Sequence, residues 1–244
     1  MSTESKQATS TEKPSMEEKM LNSTRQFWGK YSKPIIGAFT GLVLVIAGYF
    51  AYQNFVVAPA EAEANEAIWK AQASFKTDSF NLALKGDGTK LNPGLLKVIS
   101  KHDGTKAANL AHFYAGICYL KLGDFNNAVK NLEAFSAKDE ELLMRKYGSL
   151  GDAYAESGKN EQAIENYGKA ASAFETDEAG SAEYLFRLAQ LNDKLGKTKE
   201  AVEAFSAIKD KYPQTPRAAE VEKYLAKLGE TKWDRKSTRL NSSH

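Results

Sequence analysis

The sequence predicts an all-α protein: a single transmembrane helix followed by an α-solenoid of stacked helical hairpins. Three observations predict it. A run near the N-terminus carries no charge over more than the length of a bilayer crossing. The segment after it repeats apolar residues at helical spacing. Beyond that, one short pattern recurs three times at a nearly constant interval.

Residues 1–33 are rich in Ser, Thr, Lys and Glu and hold few large apolar groups, so a disordered cytoplasmic tail is expected, with a weak helical pattern from Met16 to Lys30. From Pro34 to Ala60 no residue is charged, and Ile35 to Tyr52 is apolar almost throughout. A helix of about 20 such residues crosses a bilayer core, so 34–57 is read as a transmembrane helix surrounded by lipid. Trp28 and Tyr31 at one end, and Tyr49 and Tyr52 at the other, fall where aromatic belts are expected. Ala58-Pro59-Ala60 and Ala60-Glu61-Ala62 have the small-x-small form of a signal cleavage site. The polar segment before the run is 33 residues, and the run exceeds the about 7–15 apolar residues of a signal peptide. An uncleaved signal-anchor is therefore expected. Lys19, Arg25, Lys30 and Lys33 precede the span, whereas only Lys70 and Lys76 follow within a similar distance. That bias puts the N-terminus in the cytoplasm and the repeats across the membrane. In a bacterium this is a single-pass protein of the inner membrane facing the periplasm. Gly37-xxx-Gly41 has the spacing of close helix pairs, which leaves a homo-oligomer open, though glycine is ordinary in membrane helices.

Residues 58–105 are read as an N-terminal helical capping region. Glu61 to Phe80 is a helix with Ala64, Ala67, Ile68, Ala71 and Phe75 near one face and Trp69 beside it. Gly86-Asp87-Gly88 has too few oxygen ligands for a calcium loop and too few glycines for a phosphate cradle, so it is a turn. Leu95 to Ser100 is a short helix, and Thr105 caps the next one. Solenoid ends need such atypical caps.

Residues 106–232 carry the repeats. The pattern reads Leu122-Gly123-Asp124-Phe125-Asn126-Asn127-Ala128, then Ser157-Gly158-Lys159-Asn160-Glu161-Gln162-Ala163, then Leu195-Gly196-Lys197-Thr198-Lys199-Glu200-Ala201. The glycines lie 35 and 38 residues apart, and each precedes its Ala by five. Four residues after each Ala stands a bulky residue, Leu132, Tyr167 or Phe205, and seven before each Gly a small one, Gly116, Gly151 or Ala189. The small residue lets helix A and helix B of a hairpin approach closely. The Gly ends helix A in a left-handed conformation. The Ala opens the packed face of helix B, and the bulky residue fills the gap to the next hairpin. One hairpin cannot bury its apolar stripe, so the units stack.

On these residues the chain resembles the tetratricopeptide repeat family from about Ala107 to Leu228. Gly116, Tyr119, Ala128 and Phe135 match in unit one, and Gly151, Tyr154, Ala163 and Ala170 in unit two. Unit three keeps Ala189, Ala201, Phe205 and Pro213 but has Asn192 where Tyr is usual. The final helix, Ala218 to Leu228, follows Pro213 and Pro216 and is expected to cap the array.

The resemblance implies protein binding in a groove lined by the A helices. Repeat register places Phe113, Ile117, Leu120 and Lys121 there in unit one. Unit two contributes Arg145, Gly148, Asp152 and Glu156, and unit three Glu183, Phe186, Gln190 and Asp193. Phe113, Ile117, Lys121, Arg145, Asp152, Glu156, Phe186 and Gln190 are the expected partner-binding residues, with Phe113, Tyr114 and Phe186 placed equally well as core between units. Relatives that grip a terminal carboxylate use Lys and Asn at set positions. Here Phe113, Gly148 and Phe186 replace the Lys, and Ile117, Asp152 and Gln190 the Asn, so that function is not carried over.

Composition narrows the rest. Thirty-three basic against 31 acidic residues leave a net charge of +2, well mixed, which argues against nucleic acid as a partner. The single Cys118 lies inside helix A of unit one and is read as a small buried hydrophobe. His102 and His112 lack Cys or carboxylate partners at zinc spacing, and no nucleophile elbow or phosphate loop occurs. Asp139-Glu140-Glu141 suits a helix N-terminus. No enzyme, cofactor or metal is expected. Residues 234–244 resemble a translated sequencing adapter and are set aside as a non-native tail.

The overall plan also resembles the membrane-anchored tetratricopeptide-repeat subunits that accompany the bacterial Sec translocon. This rests on architecture and on Asp78-Ser79-Phe80 through Gly88 leading into Asn109-Leu110-Ala111. It implies a non-catalytic adaptor beside the export channel, with translocon subunits, exported polypeptides or periplasmic chaperones as partners. The alternative is a cell-envelope scaffold in wall synthesis, outer-membrane assembly or division.

Overall fold

A computed structural model describes residues 15–89 and 91–229. The proposed non-native tail and residues 1–14 lie outside them. The described elements are all helical, and the chain divides into two units, Met1–Ala58 and Pro59–His244.

The first unit is helix α1, Met16–Tyr52, followed by a single π-helical turn, Gln53–Val57. The helix starts well before the span: Met16 to Lys33 follows the weak helical pattern there and not the disordered tail expected over 1–33. The physical reason is local. The helix accommodates Ser23 and Thr24, whose hydroxyls donate to the Met20 carbonyl at 2.9 Å each. Met16, Met20, Phe27 and Tyr31 then recur on one side. The apolar part of this helix is not buried anywhere, and it is long and apolar enough to cross a membrane. A membrane span and a signal sequence both meet that description.

The second unit is an α-solenoid. Helix α2 (Ala58–Lys76) buries Ala64, Ala67, Ile68 and Ala71, as its spacing predicts, and Trp69 stays exposed. It ends earlier than expected, at Lys76. Asp78 adopts a left-handed φ of 55°, and the Ser79 N–H reaches back to the Ser74 carbonyl at 3.0 Å. Helices α3 (Phe80–Lys85) and α4 (Leu95–Lys101) follow, joined by the Gly86-Asp87-Gly88 turn. Asp87 Oδ1 accepts from the Thr89 N–H at 2.9 Å and from its hydroxyl at 2.7 Å, so the turn closes on itself.

Three full hairpins come next: α5 (Lys106–Lys121) with α6 (Phe125–Ala134), α7 (Glu140–Glu156) with α8 (Asn160–Ala173), and α9 (Glu178–Lys194) with α10 (Thr198–Lys211). Helix α11 (Pro216–Lys227) closes the array. From α3 to α11 each helix packs on its sequence neighbour, α3 and α7 also meet α5, and α9 meets α11.

The three hairpin turns share one geometry. Gly123, Gly158 and Gly196 have φ of 79°, 75° and 73°. The N–H of the next residue bonds the carbonyl of Tyr119, Tyr154 and Asn192 respectively, at 2.9 Å each time. Asn192 thus keeps the backbone role of the Tyr it replaces. The Asp78 turn repeats this bond pattern. Ala71 stands seven residues before Asp78 and Ala83 five after, both fully buried, as the small residue and the Ala do in each repeat. The cap is therefore a truncated fourth hairpin, with Asp in the glycine position. It stands outside the threefold sequence pattern because the Gly is absent.

The bulky residue also needs a correction. It fills its own hairpin as well as the gap to the next. A Cβ on Gly116 would lie 2.5 Å from Leu132 Cγ, and one on Gly151 would lie 2.5 Å from Tyr167 Cδ1. Leu132 continues to Leu150 of the next unit and Tyr167 to Leu191. Phe205 is fully buried among Phe186, Ala189, Ala201 and Val221, a contribution of about 1.5–3 kcal/mol for a side chain of that size. Cys118 is buried in one cluster with Ile68, Leu84, Leu95 and Val98, and burial pushes its thiol up to about 12, which keeps it protonated at neutral pH.

Candidate protein-binding surface

The A helices are positioned by caps at their N-termini. Thr105 Oγ1 accepts from the Ala108 N–H at 3.0 Å, Asp139 from Leu142 at 3.0 Å and Asp177 from Gly180 at 3.0 Å. Helix α5 has a second cap from outside its hairpin. The Glu61 carboxylate accepts from the N–H groups of Lys106 at 2.8 Å and Ala107 at 3.0 Å, which pins α2 to the first repeat. On the other side, Lys146 of α7 donates to the Phe135 carbonyl at 2.5 Å, at the C-terminus of α6. Burial holds this lysine below its usual range despite nearby Glu133.

These caps set the A-helix faces in register, and a ladder of charges runs across them. Arg187 Nη1 on α9 donates to both carboxylate oxygens of Asp152 on α7, at 2.7 and 2.9 Å, and its Nε donates to Glu183 at 2.9 Å. Arg217 Nε on α11 donates to the other Glu183 oxygen at 2.7 Å, and its Nη1 to Glu220 at 2.6 Å. The Tyr167 hydroxyl donates to Asp152 at 2.8 Å. Further along, Lys227 meets Asp193 at 3.1 Å, and Gln190 meets the Tyr224 hydroxyl at 3.4 Å. Burial alone would raise the Glu183 carboxyl, but its bonds from Arg217 and Arg187 outweigh that and hold it below the usual glutamate range. Burial and the Asp152 charge raise the Tyr167 hydroxyl, which stays protonated as a donor.

The ladder sorts the sequence-predicted residues. Phe113 and Phe186 are buried, 9% and 2% exposed, so they are packing residues and are not available on the groove surface. Phe113 stacks near Phe135 at 5.1 Å between ring centres, and Phe186 lies under the Arg217 guanidinium at 4.1 Å. Gly148, expected in the groove, is covered by the Tyr184 ring of α9. Ile117 is half-buried against the cluster of Phe113, Leu132, Phe135 and Leu150, and Asp152 is committed to Arg187 and Tyr167. Lys121, Arg145, Glu156 and Gln190 are exposed, with Arg145 paired to Glu141 on its own helix at 2.7 Å. Sequence reasoning missed Arg187, Arg217 and Glu220. A signal existed: Asp152 to Arg187 spans 35 residues, and Glu183 to Arg217, Asp193 to Lys227 and Gln190 to Tyr224 each span 34. Complementary groups recur at one repeat length.

A cleft of about 670 Å³ lies in the cap, lined by Glu63, Glu66, Lys85, Lys97, Lys101 and His102 among others. Lys101 is bonded to Glu63 across it.

A stack of hairpins joined face to face by such pairs defines a helical-repeat scaffold, whose product is a shaped surface. The matches agree: residues 110–139 and residues 149–216 each match a tetratricopeptide repeat family. The chain carries tetratricopeptide repeats, a protein–protein interaction module. No curated protein matches the chain.

Proposed function

We propose that this protein is a membrane-anchored, non-catalytic adaptor. Its repeats face the periplasm of a bacterium and hold exported polypeptides or chaperones beside the Sec translocon. One observation carries the reading: a single chain joins a tetratricopeptide array to a helix whose segment from Pro34 on is apolar on all faces and follows Lys19, Arg25, Lys30 and Lys33. The exposed A-helix residues Lys121, Arg145, Glu156 and Gln190 are the contact positions in this reading.

The test is photo-crosslinking in native membranes with a benzophenone side chain at Lys121, Arg145 or Gln190. Crosslinks to channel subunits, exported chains or periplasmic chaperones support the adaptor. Crosslinks confined to wall-synthesis, outer-membrane assembly or division proteins identify an envelope scaffold and overturn the export role.

A further inference from the structure

The N-terminal part of α1 has a surface that the span does not explain. At about 100° per residue, Met16, Met20, Phe27 and Tyr31 fall on one side of the helix, with Leu21, Thr24 and Trp28 beside them. Lys19, Lys30 and Lys33 fall together on the opposite side with Asn22 and Gln26, and Arg25 lies at the boundary. Glu17, in the first turn, interrupts the apolar side. The apolar groups are all exposed, from 41% for Tyr31 to 82% for Met16. Phe27 and Tyr31 stack at 4.9 Å, and Lys30 Nζ lies 5.3 Å from the Tyr31 ring centre. The next residue after this stretch is Pro34, inside the helix. It has no N–H to give the Lys30 carbonyl, so the helix is weakest where the amphipathic stretch meets the all-round apolar one.

We propose that Met16–Lys33 is an interfacial helix, lying on the anionic phospholipid headgroups of the leaflet where α1 enters the bilayer. The proposal rests on the reading of α1 as a membrane anchor. Three features select lipid as the occupant. The apolar face is continuous in sequence with a segment suited to the bilayer core. Its rim of Met, Phe, Trp and Tyr has the amphipathic chemistry of the headgroup boundary. Lys30 extends over an aromatic neighbour, as a snorkelling side chain does, and the lysines together carry charge opposite to an anionic surface. Docking requires the helix, unbroken here from Met16 to Tyr52, to bend at Pro34 so that the stretch turns from the bilayer normal toward its plane. Each lysine is expected to favour the docked state by about fivefold at an anionic surface.

The experiment uses the full chain carrying Cys118→Ala, reconstituted in nanodiscs. Spin labels are placed singly through Phe27→Cys, Gln26→Cys and, in the span, Leu44→Cys. Accessibility to dissolved oxygen and to a polar nickel complex reports depth. In phosphatidylcholine mixed with phosphatidylglycerol, the label at 27 is expected at headgroup depth, the label at 26 in water and the label at 44 in the core. Replacing Lys19, Lys30 and Lys33 by Gln should return the label at 27 to water and leave that at 44 in place. If labels 26 and 27 are equally wet while 44 is deep, the interfacial helix is wrong and the anchor stands. If 44 is itself in water, both fall. Shielding of 27 that persists in detergent, or that grows with protein density, means that protein covers this face and overturns the lipid assignment.

Discussion

Arg187 and Asp152, 35 residues apart, form a two-pronged ion pair in which a single guanidinium nitrogen reaches both carboxylate oxygens. The same arginine is held from its own helix by Glu183 at 2.9 Å. The pair joins α7 to α9 at equivalent faces and so sets the register of unit three on unit two. Its side chains are about one-third exposed, 38% and 32%, so its strength lies nearer that of a surface pair than of a buried one.

Arg187→Met is predicted to cost about 1–2 kcal/mol, because Asp152 and Glu183 each lose a charged donor while half-buried. Arg187→Lys should recover only part of this, since an ammonium cannot serve both carboxylates through a planar fork. Chemical denaturation of the purified protein measures both. A loss equal to that of an isolated exposed pair, Lys169 with Glu165 for instance, contradicts a role in repeat register.

Glu183 makes the ladder pH-sensitive in a defined direction. Its folded pKa is depressed below the ordinary 4.5. The stabilisation is therefore fully present above that value and disappears as pH falls through the lower folded value. Glu183→Gln is predicted to flatten the acid limb of the stability profile relative to the parent and to leave its shape near neutrality unchanged. A melting-temperature series across acid pH decides it. An acid limb that stays as steep in the variant removes Glu183 from the account.

Two glycines should respond oppositely to the same change. Gly151 lies under the Tyr167 ring, which is 5% exposed and tied by its hydroxyl to Asp152. Gly151→Ala is predicted to cost about 1–2 kcal/mol net, as overpacking outweighs helix propensity. At Gly168 the nearest atom to an added Cβ is Leu188 Cδ1 at 3.6 Å, an ordinary contact. Gly168→Ala should stabilise by about 0.5–1 kcal/mol. Equilibrium unfolding of the two variants compares them directly, and the same sign for both contradicts the packing described.

The truncated hairpin carries its own test. Asp78 holds a φ of 55°, where a side chain is disfavoured. Asp78→Gly restores the residue found at the equivalent turns and is predicted to stabilise by about 0.5–1 kcal/mol. Destabilisation instead shows that the Asp side chain has a role which the hairpin likeness does not supply.

How far the sequence could be read follows from which forces are local. The turns at Gly123, Gly158 and Gly196 were legible because a left-handed residue and its flanking small and apolar positions lie within one hairpin. The Asp78 turn used the same geometry but hid behind a different residue type. Burial of Phe113 and Phe186 was only half legible, since register fixes the face of a helix but not whether a neighbour's ring or guanidinium covers it. The Glu61 cap on α5 joins residues 45 and 46 positions apart, across two intervening helices, with no periodic signal to reveal it. The charge ladder lay between these cases. Its partners recur at the repeat length and become visible once complementary residues are compared at that lag. Over residues 16–33 the helical pattern was legible from Met16 to Lys30 but faint, because the polar composition dilutes the order of the apolar groups.

The proposed adaptor depends most on α1 remaining in the mature molecule and in lipid. Alkaline extraction of native membranes, followed by the intact mass of the recovered protein, tests this directly. The account predicts a protein that stays in the membrane pellet and retains residues 34–57. A mature chain that begins near Ala60 and leaves with the soluble fraction contradicts it.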